Sequence, residues 1–443
     1  MEVTQKSAAS GKLKYLVGKL DSAYWAILAL FAILLIAAFI LDSPQNIWQG
    51  LIRILTSRSL LVTDYAALGG MGAMLVSAVL VGLFSLITMI IGGVKPNGGT
   101  IMGIWLILGF AFFGKNLFNT IPIVFGVLLF AKLKKMPFKD VAVTSMMCAS
   151  IAPIVSEVAY LTMTQSTFAS LASPYLQIVG VGIGVLVGVF VGFIFTPLAV
   201  KMGNVHGGYL LYNAGFVGGL IATFTVSLLR SGGFIIAPET IWATEYTLPL
   251  GILMYIIAAF FIVLGIVTSG KDRWHNFREM QKQSGRLPTD YYTMYGNISY
   301  FNVGLLVILS TTASLLVGAP INGAVMGGIF CVGGFGVLGK NFKNVLPIMV
   351  GIGIGSYWNH NPMYYPSNIL ALLFGTGIAP LAGRFGIMWG LISGFVHLSL
   401  VSFIGHLNGG LNLYNNGFAG GFVVILMLPI IAAFTRKKSL EEL

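Results

Sequence analysis

Two runs of the form Gly-Lys-Asn-x-x-Asn hold the residues best suited to binding a polar solute: Lys115, Asn116 and Asn119 in one, Lys340, Asn341 and Asn344 in the other. An asparagine side chain supplies two N–H donors and a carbonyl acceptor, and a lysine supplies a point positive charge, so each set suits a small polar or anionic molecule. In apolar sequence the same lysines could instead run their stems out to lipid headgroups. Asn97-Gly98 and Asn322-Gly323 precede apolar runs and read first as helix N-caps. Held at depth, such a helix start would also turn its positive dipole end toward a solute. A third candidate is Gly-Gly-x-x-Leu-Tyr-Asn-x-Gly-Phe-x-Gly-Gly, which begins at Gly207 and again at Gly409 and carries Tyr212, Asn213, Tyr414 and Asn415. Glycines this dense favour close helix approach. A buried amide left unsatisfied costs about 1–3 kcal/mol, however, so Asn213 and Asn415 need a partner or a ligand.

Glu157, in an apolar run after Pro153, is a possible ion-coupling site, because an acid within a span carries function by default. His206, His360, His397 and His406 have no metal-ligand spacing. Cys148 and Cys331 sit in apolar segments without CxxC or Cys/His clustering, so they read as small buried residues and neither a metal nor any other cofactor is expected. No nucleophile elbow, P-loop, paired catalytic carboxylates or HExxH occurs, and no enzymatic activity is expected.

The elements that must position these residues are membrane helices. Of the 443 residues 57% are hydrophobic and 9% charged, too little charge to cover a water-soluble fold of this size. Apolar stretches of about 18 or more residues, each able to cross ~30 Å of hydrocarbon, recur along the chain, and about 10–14 membrane segments are predicted. The 25 Lys and Arg exceed the 13 Asp and Glu, but they occupy short loops, which is a topology signal and excludes a nucleic-acid partner. Lys6, Lys12, Lys14 and Lys19 precede an apolar run from Tyr24 to Leu41, predicting an uncleaved first span with a cytoplasmic N-terminus in the inner (plasma) membrane. From Asp42 to Asp64, the helical spacing of Ile47, Trp48, Leu51, Ile54 and Leu55 predicts an interfacial connector.

Internal repetition organises the rest. Residues 97–126 match 322–351 without gaps at 13 of 30 positions, and 203–219 match 405–421 at 10 of 17. Between these blocks both halves hold Ile-Ala-Pro, at 151–153 and 378–380, and a ladder of glycines four apart at 184, 188, 192 and 386, 390, 394. About two dozen extra residues near 154–178 account for the change in offset. The units predicted are 1–64 (first span and connector), 65–232 (repeat 1), 233–297 (linking span and cytoplasmic loop) and 298–443 (repeat 2). Placing Lys95, Lys132 to Lys139, Lys201, Lys271 to Arg286 and Arg436-Lys437-Lys438 all inside requires the second repeat to run opposite to the first. The fold class is therefore an all-α integral membrane protein, an inverted-topology tandem repeat with short or re-entrant helices at 119–131 and 344–357 and both termini cytoplasmic. Inverted repeats characterise transporters, with a solute site between them near the midplane.

At Leu211-Tyr212-Asn213-Ala214-Gly215-Phe216-Val217-Gly218 and Leu413-Tyr414-Asn415-Asn416-Gly417-Phe418-Ala419-Gly420 the chain resembles the urea transporter family, and Asn97 and Asn322 are similar to that family's Asn-Pro openings. The family's Leu-x-x-Pro-x-x-Thr pattern is absent around Pro122 and Pro347. The resemblance implies inverted repeats about a central pore, a trimer, and passive movement of a neutral amide. Elsewhere the chain looks like an uncharacterised bacterial multi-spanning membrane family of unknown function. The function expected is a channel or facilitative transporter for a small polar solute, with the bilayer and that solute as partners. The alternatives are an ion-coupled carrier of a small organic anion, with Lys115 and Lys340 as ligands, and a non-transport scaffold or redox-cofactor subunit.

Overall fold

The computed structural model describes residues 21–165, 174–237 and 239–435. The basic residues at 6, 12, 14, 19 and 436–438 that bear on the orientation of the termini lie outside the described residues. The first half contains α1 (Ser22–Leu41), α2 (Pro44–Thr56), α3 (Tyr65–Gly69), α4 (Met71–Ile91), α5 (Gly98–Ala111), α6 (Leu117–Leu133), α7 (Ala142–Cys148), α8 (Pro153–Gln165), α9 (Pro174–Val205) and α10 (Asn213–Ser231). The second repeats that order as α11 (Thr247–Thr268), α12 (Arg273–Met280), α13 (Tyr291–Tyr295), α14 (Ile298–Leu316), α15 (Gly323–Gly334), α16 (Phe342–Trp358), α17 (Pro366–Phe374), α18 (Ala379–Phe385), α19 (Ile387–Ile404) and α20 (Asn415–Phe434). Among the described residues ten helical stretches, five per half, are long and apolar enough to cross a bilayer, which makes this a multi-spanning membrane protein. The element order also shows α1 and α2 leading the first half as α11 and α12 lead the second.

Asparagine sets the helix starts. Asn97 and Asn322 accept the backbone N–H of Thr100 (2.8 Å) and Val325 (3.1 Å), opening α5 and α15. Asn116 with Asn119, and Asn341 with Asn344, form reciprocal capping boxes at the starts of α6 and α16. Because the caps lie that far upstream, α6 and α16 each run 17 residues, about 25 Å, longer than the 119–131 and 344–357 segments predicted from hydropathy. The short helices are α5, at 14 residues, and α15, at 12. At Ile-Ala-Pro both halves break a span: 3-10 turns at Ala149–Ile151 and Gly375–Ile378 separate α7 from α8 and α17 from α18. Proline has no N–H to continue the ladder there.

The carbonyls released at these breaks are used across the molecule. Ser150 O accepts the Leu413 N–H (3.0 Å), and Gly377 O accepts the Leu211 N–H (2.9 Å). Each anchor has a mate with the halves exchanged: Leu61 N–H donates to Gly410 O (2.9 Å) and Leu287 N–H to Gly208 O (3.0 Å). Likewise Asp64 caps Gly323 (3.1 Å) and Asp290 caps Gly98 (2.9 Å). The two halves also approach each other closely at Gly215 and Gly417, near the starts of α10 and α20. A Cβ built on Gly215 would stand 2.7 Å from Tyr414 O and 2.8 Å from Gly417 Cα; one on Gly417 would stand 2.8 Å from Gly215 Cα. Neither backbone can yield without moving its helix. Gly215→Ala and Gly417→Ala are each expected to lower stability by about 1–3 kcal/mol, measured by thermal unfolding in detergent. Gly182→Ala, where nothing lies within 4 Å, should be neutral.

The glycine ladders do similar work at the rim of each half. A methyl at Gly188 would meet Pro122 Cβ at 2.9 Å and one at Gly390 would meet Pro347 Cβ at 2.7 Å, so α9 lies directly on α6 and α19 directly on α16. The connector is the amphipathic helix α2, with Ile47, Gly50 and Ile54 buried on one side and Trp48 66% exposed on the other.

Candidate functional site

The exchanged anchors bring the residues around Gly-Lys-Asn and Leu-Tyr-Asn together at the centre. Lys340 lies in the turn between α15 and α16 and is fully buried. Its Nζ donates to Tyr212 Oη and, at 2.7 Å, to Thr376 Oγ1. It also stands 4.5 Å from the centroid of the Tyr212 ring and 5.0 Å from that of Phe335, where ring faces favour a cation. Tyr212 and Tyr414 pack ring on ring, 4.4 Å between centroids, and the Cys331 sulfur lies 3.1 Å from both phenol oxygens. This station therefore draws Tyr212 from the first half and the other five residues from the second.

Lys115 occupies the matching turn between α5 and α6, 1% exposed, with Nζ 5.1 Å from the Phe110 ring. Phe110 packs edge-on to Tyr414 at 4.9 Å, as Phe335 packs against Tyr212 at 4.9 Å. The stations differ in what surrounds the ammonium. The alignment sets Leu106 against Cys331 and Ala149 against Thr376, so the first station lacks the two polar side chains of the second. No protein group accepts a hydrogen bond from Lys115 among the described residues. Among those residues the ion pairs are Arg58–Glu157, Arg58–Glu239 and Lys282–Glu279, and neither buried lysine takes part in one.

The asparagines are placed differently. Asn116 Nδ2 donates to Ile54 O (3.1 Å) and Tyr65 Oη (3.2 Å), and Asn341 Nδ2 to Gln283 O (3.0 Å) and Tyr291 Oη (2.9 Å). Asn119 and Asn344 donate to Gly114 O (3.1 Å) and Gly339 O (2.9 Å). With their oxygens on backbone N–H groups, all four amides are committed to holding the lysine turns in shape. Asn322 donates to Ala243 O (2.9 Å). Asn213 pairs with His206 (3.0 Å) and Ala199 O (2.9 Å), and Asn415 accepts from Asn408 (2.8 Å). Asn97 and Asn213 line one cavity of about 420 Å³, whose wall includes Leu211, Leu338 and the Leu287 to Asp290 segment.

Glu157 pairs with neither buried lysine among the described residues; it is fully buried against Arg58 in a two-pronged pair at 2.7 Å on each oxygen. Arg58 also donates to Ala237 O at 2.8 Å and stands over the Tyr160 ring at 5.4 Å. The pair fastens the segment after α2 to α8. Removing one partner of a buried pair strands the other, so Arg58→Ala is expected to destabilise the protein by about 3 kcal/mol, and Glu157→Gln by less; denaturation in detergent reads both.

One family model, described as a protein of unknown function (DUF1576), matches residues 43–231 and 269–433, most of the chain. The chain belongs to the DUF1576 family. No curated protein and no solved structure matches it, so nothing in these comparisons supports the likeness to urea transporters. The two matched stretches of this DUF1576 chain fall on either side of the segment holding α11, and both stations lie within them.

Some central residues of this DUF1576 protein lie outside the aligned blocks or lack a counterpart in the other half. Asp64 and Asp290 belong to a repeated triplet, Thr63-Asp64-Tyr65 and Thr289-Asp290-Tyr291, that lies outside the two aligned blocks. The triplet was visible and its separation, one residue longer than that of the first block, marks it as part of the duplication. Phe110 and Phe335 were visible as identities within that block. Cys331 and Thr376 have no counterpart in the first half, and no local signal marks either one.

Proposed function

We propose that this protein is a facilitative transporter that passes a small anion between its two halves, using the Lys340 and Lys115 turns as binding stations. The observation that carries the proposal is that two buried lysines have no carboxylate partner among the described residues. An ammonium held away from water needs a compensating charge or dense hydrogen bonding. Among the described residues Lys340 obtains only neutral partners, and Lys115 the face of the Phe110 ring with the buried Cys148 thiol nearby. A transiently bound anion supplies what each lacks, in surroundings dry enough to make the attraction strong.

Free amide side chains would suit a neutral solute; here they are committed to caps, which leaves the lysines to define the site. The cavity of about 420 Å³ serves as a vestibule in this reading, since its wall residues Leu211 and Leu338 lie one and two positions from Tyr212 and Lys340. Asp290 also lines this cavity, and the N–H groups of Gly98 and Thr293 that it accepts offset part of its charge. Glu157 is held by Arg58, so no observation favours it as a coupling site and passive movement is the simpler reading. Five long spans and one α5–α6 or α15–α16 hairpin per half support an inverted pair, with ten spans returning both termini to one face, cytoplasmic by loop charge.

Ligand binding to the folded state raises its stability by mass action. Small carboxylates or inorganic anions at millimolar concentration are therefore expected to raise the unfolding temperature of the purified protein, while urea-sized amides at the same non-denaturing concentration do not. A shift with amides and none with any anion would overturn the anion assignment in favour of the neutral-solute reading.

A further inference from the structure

Two cavities outside the central stations occupy equivalent places in the two halves and differ in chemistry. One, about 370 Å³, is lined by Thr56, Ser57, Arg58, Phe118, Ser156 and the α8 residue Tyr160. The other, about 730 Å³, is lined in the corresponding positions by Lys282, Gln283, Lys343 and Gly383. The correspondence follows from the repeated triplet, the Gly-Lys-Asn block and Ile-Ala-Pro, and Asn116 and Asn341 confirm it by donating to the paired carbonyls Ile54 O and Met280 O. In the first half the extra residues after Pro153 lengthen α8, which fills part of the space; in the second, α18 stops at Phe385 and the chain turns at Gly386, whose φ is +95°. The larger groove thus stays open where the smaller is occupied by the protein's own chain.

Its lining divides by polarity. At one end stand Lys282 and Lys343, and among the described residues Lys343 has no ion-pair partner while Lys282 pairs with the exposed Glu279 at 2.6 Å. Along the rest run Leu346, Val350, Ile387 and Leu391, of which Val350 is 46% and Ile387 69% exposed, as expected of side chains facing lipid tails. The equivalent end of the first half has Thr56 and Phe118 in place of the two lysines, and the cation that does line its cavity, Arg58, is already paired with Glu157 and Glu239.

We propose that this groove binds one anionic membrane phospholipid, with its phosphate at Lys282 and Lys343 and an acyl chain along Leu346, Val350 and Ile387. A positive end beside an apolar trough matches a lipid's own division, and basic recesses between spans on the cytoplasmic side select acidic headgroups. The partner is a bilayer lipid rather than a free phosphate because the apolar wall is the longer part of the site. The proposal is independent of what the central stations carry.

Native mass spectrometry of the protein taken from bilayers of equal phosphatidylglycerol and phosphatidylcholine tests it. The wild type is expected to retain phosphatidylglycerol several-fold over phosphatidylcholine, and Lys282→Gln/Lys343→Gln to lose that preference. Equal retention by the wild type overturns the proposal, as does an unchanged preference in the double variant. Displacement by glycerol phosphate as effective as that by the intact lipid overturns the acyl-chain part. Should the variant not fold, the wild-type preference and the glycerol phosphate arm decide alone.

Discussion

Lys340→Met is expected to reduce anion flux through reconstituted protein by about 10–100-fold, the largest functional effect of any single change. A hydrogen bond to a charged group contributes about 1.5–3 kcal/mol, and each 1.4 kcal/mol is about a factor of ten. Methionine keeps the length of the side chain and removes its charge. Removing an enclosed charge that has no carboxylate partner, and replacing it with an apolar group of similar size, is often neutral or stabilising. Flux and stability should therefore part: transport falls while the unfolding temperature holds or rises. A lysine that served only to hold Tyr212 and Thr376 in place would show the opposite, with flux following stability. Lys115→Met is expected to act in the same direction, and more strongly on binding of the free anion, since Lys115 makes no hydrogen bond to the protein among the described residues.

Asp64→Ala is expected to be the most destabilising single substitution outside the stations, at about 3–6 kcal/mol. The carboxylate is fully buried and accepts three backbone N–H groups, from Ala66 at 2.9 Å, Gly323 at 3.1 Å and Ala243 at 3.0 Å. Each donor left unsatisfied costs about 1–3 kcal/mol. Two of the three belong to the segment that leads into α11 and to the start of α15, so one side chain ties the first half to the second. Asp64→Asn keeps one acceptor but turns an N–H₂ group toward the others, and an intermediate loss is expected. Asp290→Ala, at the equivalent but partly exposed site, should cost less, because water can reach Gly98 N–H and Thr293 N–H. Thermal unfolding of the three variants in one detergent orders them.

The difference between those aspartates shows what the sequence disclosed. Hydropathy and the two aligned blocks disclosed a helical membrane protein with duplicated parts, because period, length and identity are local properties. The caps were legible too, since an asparagine followed by glycine before an apolar run is a start signal wherever it falls. What could not be read was which half each anchor serves. Asp64 belongs to the first repeat in sequence and caps a helix of the second, and only the folded chain shows that exchange. The candidate site was legible in the same partial way. Lys340 and Tyr212 were picked out by repetition, yet their contact spans 128 residues. Thr376 and Cys331 were invisible because they lack a counterpart, and the asymmetry they create between the stations is what repetition hides. The asparagines misled because one chemistry, an amide in apolar sequence, serves caps and solutes equally well.

The claim at the centre of this account is that the route between the halves selects negative charge. Proteoliposomes holding the wild-type protein, assayed side by side with a small carboxylate, an inorganic anion, a urea-sized amide and a small cation against protein-free vesicles, measure it directly. Protein-dependent flux of at least one anion down its own gradient is expected, with the amide and the cation at the level of empty vesicles. Amide flux equal to or above that of every anion, or no protein-dependent flux of any solute, would contradict it.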